Sequence, residues 1–164
     1  MVTALNVYLA PTRTAGQQVL RGVIYSDAGG KPGSLLGATE QLTFKSREAA
    51  AWRELRFATA LELAPGSYWL GVLTGPVNRV AGFRYAKVAR SRDYNANVYS
   101  AGPTATFGAA SSDEEQMSLY AVYTPQPPPS TTFGKTSVGS STGTFSFQGK
   151  RVSRYALTEI SAIR

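Results

Sequence analysis

Within "SRDYNANVY", residues 91–99, the sequence gathers one carboxylate, two amides and two phenol rings: Asp93, Asn95, Asn97, Tyr94 and Tyr99. These are the types that sugar recognition requires. A pyranose offers apolar C–H faces that stack on aromatic rings, and a rim of hydroxyls that amides and carboxylates read. Strand alternation places Asp93, Asn95, Asn97 and Tyr99 on one side and Tyr94 on the other. The same residues also suit a structural role, a hydrogen-bonded turn whose tyrosines cap a sandwich. The D-x-N-x-N spacing matches the start of an oxygen-ligated calcium loop, but the loop glycine and the distal bidentate acid of the EF-hand are missing, so no metal site is expected.

Other chemistry is scarce. The chain has no histidine and no cysteine, which removes the commonest general base, the commonest metal ligand, thiol nucleophiles and disulfides. The one acidic run, "SSDEEQ" at 111–116, has paired carboxylates of the kind that serve glycoside hydrolysis, but three consecutive acids in a Ser-rich context read as a solvated loop. "GGKPG" lacks the Lys-Ser/Thr ending of a phosphate loop and reads as a hairpin turn. Neither catalysis nor a cofactor is expected. The net charge is +7, with the densest basic cluster at Arg84, Lys87, Arg90 and Arg92. That cluster suits an anionic polysaccharide or an acidic partner, or is simply a solvated loop, and no nucleic-acid module surrounds it.

The elements that would carry these residues are strands. Leu5, Val7 and Leu9 alternate along one face, and in "QVLRGVIYS" Leu20, Gly22 and Ile24 oppose Val19, Val23 and Tyr25. Further strands are expected at "LLGATEQLTF", "WRELRFA", "SYWLGVL", "GFRYAKV", "NANVYS" and "MSLYAVYT", with turns at "DAGGKPGS" and "APGS". "SREAAAWREL" has helix-forming residue types but is short enough to be a turn entering a strand. "YWLGV" is apolar on both faces, which assigns Trp69 to the core; Trp52 is no stronger a ligand. Short strands without βαβ units indicate an all-β, antiparallel sandwich of jelly-roll type. No apolar run approaches the roughly 18 residues of a membrane span.

Composition shifts at Thr124. Residues 1–125 form the main part of the sandwich, 126–132 a Pro-rich linker of extended polyproline character, and 133–164 strands too few to build a core alone. These last strands must complete a sandwich, in the same chain or a neighbouring one. Phe133, Val152, Tyr155 and Leu157 are their candidate assembly residues, and Lys150, Arg151 and Arg154 could meet Asp113, Glu114 and Glu115 of the acceptor.

The combination of "LNVYLAP", "GQQVLRGVIYSDAGGKPGSLLG", "PGSYWLGVLTG", "RDYNANVYSAGP" and "EQMSLYAVYTP" resembles a repeated β-sandwich module of about 150 residues, an ordinary domain size, found in secreted multidomain bacterial surface proteins. The resemblance implies that a unit opens with segments like "TFGKTSVG" and "KRVSRYALTE" and closes at "SLYAVYTP". Here the opening pair stands last, so the unit is permuted, and "ISAIR" departs from the pattern. The expectation is a non-catalytic structural or adhesive building block of an extracellular or cell-surface assembly. Its partner would be itself, by head-to-tail strand exchange that can build a filament; the alternative is a carbohydrate-binding module whose partner is a polysaccharide.

Overall fold

A computed structural model describes residues 1–16, 18–75 and 80–125 and, as backbone alone, residues 161–163. The described residues are all β apart from one turn of 3-10 helix at Tyr99–Ala101. The assembly candidates Phe133, Val152, Tyr155 and Leu157, with Lys150, Arg151 and Arg154, lie outside them.

The first sheet is built around β1 (Val2–Pro11). On one side β1 pairs antiparallel with β5 (Ala51–Leu61); on the other it pairs with β10 (Leu119–Tyr123) and, further along, with β7 (Ala81–Phe83). The second sheet is built around β2 (Val19–Asp27). It pairs antiparallel with β6 (Tyr68–Thr74) on one flank, and on the other with β3 (Pro32–Ala38) and β4 (Leu42–Thr43). A separate antiparallel pair joins β8 (Tyr85–Tyr94) to β9 (Ser111–Met117), and the short β11 (Ser161–Ile163) runs parallel to β6.

Period-two alternation decides what lies between the sheets. Leu5, Val7 and Leu9 of β1 are fully buried and meet Leu20 and Ile24 of β2, Leu55 and Phe57 of β5, and Leu70 and Val72 of β6. Gly22 allows the sheets to approach closely at this point: a Cβ there would lie 2.8 Å from Leu5 Cδ1 and 3.2 Å from Leu55 Cδ1. Such interdigitated apolar packing is the main source of stability for a sandwich.

The second sheet is apolar on both faces. Val19, Val23 and Tyr25 point away from the first core, and with Trp69, Leu73, Tyr99 and Phe107 they form a second one. Its cover is the segment after β8, which lies over the outer face and also hydrogen-bonds the free edge of β3, through Leu35 N to Ala105 O at 2.8 Å and Phe107 N to Gly33 O at 2.9 Å.

Several expected elements differ: "GFRYAKV" breaks at Arg84 between β7 and β8, which join different sheets, and "MSLYAVYT" breaks at Ser118 between the end of β9 and β10. "LLGATEQLTF" is split into β3 and β4, because Thr39 turns its hydroxyl inward to accept from the Gly22 amide at 2.8 Å. "NANVYS" is a loop and a 3-10 turn, its amide side chains engaged with loop partners. "SSDEEQ" is strand, not solvated loop, because β8 supplies cations opposite its acids. "SREAAAWREL" enters β5 through a turn, as its length indicated.

Candidate functional site

Asp93, next to last in β8, has its side chain 3% exposed, and its Oδ1 accepts from Lys31 Nζ at 3.1 Å and from the Ser112 hydroxyl. Its Oδ2 is buried without a partner among the described residues. Asn95 donates from Nδ2 to Phe107 O at 2.7 Å, and its Oδ1 is likewise buried and unpartnered. Asn97 donates to Thr104 Oγ1 at 3.4 Å. Tyr99 packs into the second core and donates its hydroxyl to Gln41 Oε1 at 2.9 Å; burial pushes that phenol above its ordinary value. No face of the Tyr99 ring is free for stacking. Tyr94 is half-buried, has the Arg92 guanidinium 5.3 Å from its ring centre, and borders an open cleft of about 420 Å³ with Asn95 and Ser111. The stretch 91–99 is thus engaged mainly in docking the loop onto the sheet.

The basic cluster and the acidic run meet each other. Arg92 donates from Nε to Asp113 Oδ1 at 2.8 Å and from a terminal nitrogen to Asp113 Oδ2, and lies 2.6 Å from Glu115 Oε2. Burial alone would raise the Asp113 carboxyl, but the Arg92 hydrogen bond, the Glu115 amide and the Arg92 charge together hold it below its ordinary value. Lys87 pairs with Glu114 at 2.9 Å, and the Glu114 carboxylate raises its ammonium. Asp113, Glu114 and Glu115 therefore have cation partners within their own hairpin. No group of His, Cys, Asp or Glu among the described residues could hold a metal, and none of their helices is long and apolar enough to cross a membrane.

Exposed aromatic surface lies elsewhere, on the outer face of the first sheet. Because Leu5, Val7 and Leu9 point inward, Asn6 and Tyr8 point outward; Leu55 and Phe57 inward put Trp52, Glu54 and Arg56 outward; Leu119 inward puts Tyr120 outward. Tyr8 and Trp52 are direct cross-strand partners, with rings edge to face at 5.5 Å. Tyr120 pairs with Asn6 from the opposite flank of β1, and its ring meets Trp52 above that strand at 5.1 Å. Trp52 is 48% exposed and Tyr120 46%. Beside the rings, Arg56 bonds Glu54 at 2.9 Å, both side chains open to solvent. Sequence reasoning passed over this face although its parity was legible. Trp69, by contrast, is core as expected, with Nε1 donating to Asp27 Oδ1 at 2.8 Å.

A last feature concerns strand edges. β6 carries β11 on its outer edge, Ser161 to Ile163 aligned with Gly71 to Leu73. Ser161–Ile163 of the tail thus supply a strand.

Comparison with known proteins found no matching family model, no matching curated protein and no matching solved structure.

Proposed function

We propose that this chain is a non-catalytic structural and adhesive building block of an extracellular assembly, in which units are completed and joined by strand addition. The observation that supports this reading is the β6 edge, which takes residues from the far C-terminal end of the chain as a parallel strand. Strand addition satisfies main-chain donors and acceptors whichever chain supplies them. Made between chains, the same contact is heterologous, so copies join head to tail and the array stays open unless its rotation closes a ring. The resemblance to a repeated module of bacterial surface proteins points the same way.

The test is the mass of the full chain under native conditions across a concentration series, beside a chain ending at Glu159. Large species are expected from the full chain and not from the shortened one, with the melting transition retained in both. A full chain that stays monomeric throughout would defeat the assembly reading.

A second reading, a carbohydrate-binding module of a secreted protein, is favoured by the exposed rings of the first sheet.

A further inference from the structure

The geometry points to the outer face of the first sheet as a glycan platform, with Trp52 at its centre, Tyr8 and Tyr120 beside it, and a neutral pyranose polymer as its ligand. This inference rests on the carbohydrate-binding reading, and it moves the site away from Tyr94 and Tyr99 to the opposite sheet.

Three observations carry it. The rings come from three adjacent strands in the order β10–β1–β5 and touch one another at 5.1 and 5.5 Å, forming a continuous aromatic row across the sheet. Each supports its neighbour edge to face, so Trp52, though half exposed, is held in place before any ligand arrives. Asn6, Glu54 and Arg56 share the same outward parity, so amide, carboxylate and guanidinium groups lie next to the rings. Rings beside hydrogen-bonding groups match a sugar polymer, whose apolar C–H faces alternate with hydroxyls. They match an apolar protein surface poorly, because such a surface would bury the solvent-exposed Glu54–Arg56 pair at a desolvation cost that its mutual attraction repays only in part.

The choice of a neutral polymer follows from local charge. Glu54 and Arg56 are paired with each other at 2.9 Å, so these charged groups of β5 beside Trp52 carry no net charge even though the chain carries +7. Stacking and hydroxyl contacts would dominate, and these respond weakly to salt.

The experiment is affinity electrophoresis of the full chain through gels containing soluble neutral glucan, xylan or polygalacturonate, at low and high salt. The wild-type chain should be retarded by a neutral polymer at both salt concentrations. Trp52→Ala should weaken retention on the order of tenfold or more, the scale of a central interface aromatic. Tyr120→Ala should weaken it less, and Tyr94→Ala should leave it unchanged. Melting curves and native mass are recorded for each variant, so loss of fold or of assembly is read separately from loss of binding. Trp52→Phe supplies a second, conservative variant and should retain part of the binding. Failure of the wild-type chain to bind any polymer overturns both the platform and the carbohydrate-binding reading. Binding that survives Trp52→Ala, or that falls on Tyr94→Ala, overturns the platform alone. Retention only by polygalacturonate, abolished by salt, also overturns it in favour of attraction by the basic surface.

Discussion

Met1 and Thr124 exchange a reciprocal pair of backbone hydrogen bonds, the Met1 ammonium donating to the Thr124 carbonyl at 3.0 Å and the Thr124 amide to the Met1 carbonyl at 2.9 Å. The chain therefore enters the sandwich and reaches the Pro-rich stretch at one point, on adjacent strands β1 and β10. The buried apolar residues of both described cores fall between Val2 and Leu119. A chain ending at Pro125 is accordingly expected to fold and melt cooperatively. It lacks β11, so, like the chain ending at Glu159, it should not form the large species expected of the full chain. Circular dichroism melting with light scattering checks both halves of this expectation; loss of the transition would show that the later residues are part of the core.

Gly22→Ala should destabilise the protein by about 1–3 kcal/mol, the usual cost of overpacking a well-filled core. The added methyl meets Leu5 and Leu55, both essentially buried, with the Thr39 methyl 3.0 Å away. Denaturant unfolding measures the change, and an unaltered midpoint would mean that the two sheets can separate without penalty.

Phe107→Ala should detach the loop that covers the second sheet. Phe107 is 3% exposed and meets Tyr25 edge to face at 5.2 Å. The expected loss is about 3 kcal/mol, with hydrogen exchange of residues 95–107 rising more than that of β1. Uniform exchange across the molecule would show that the second core does not behave as a separable layer.

Acid should loosen the β8–β9 pair. The Asp113 carboxyl is held below its ordinary value in the folded chain. Its contribution is therefore fully present above the unfolded value of about 4 and is lost as pH falls through the lower folded value. Asp113→Asn should flatten that part of the stability profile, whereas a profile unchanged by the substitution would place the acid sensitivity elsewhere.

Alkali acts on the other layer. Burial raises the phenols of Tyr25 and Tyr99, with Tyr25 also donating to Thr104 O at 2.9 Å. Groups raised in the folded state stabilise it fully below their unfolded value of about 10 and lose that contribution as pH climbs through the folded one. Ultraviolet titration should show these tyrosines ionising last, together with release of the covering loop. Ionisation of all tyrosines in one ordinary step would contradict the docking of Tyr99.

Local alternation determined much of this protein. The parity of Leu5, Val7 and Leu9, the two-sided pattern of Val19 to Tyr25, and the assignment of Trp69 to the core were all legible in the sequence, because side-chain direction in a strand depends only on position modulo two. The same rule already placed Tyr8, Trp52 and Tyr120 outward. Their meeting was not legible, since it requires β10 and β5 to flank β1 in one register, a pairing between distant parts of the chain. Tertiary contact also decided the stretches that local pattern misread. "SSDEEQ" became a strand because Arg92 and Lys87 stand across from its acids, and "NANVYS" became a loop because the outer face of β2 needed Tyr99 and Phe107 as its cover. In each case the deciding partner is remote in sequence, and the energy that selects the conformation belongs to the contact and not to the segment.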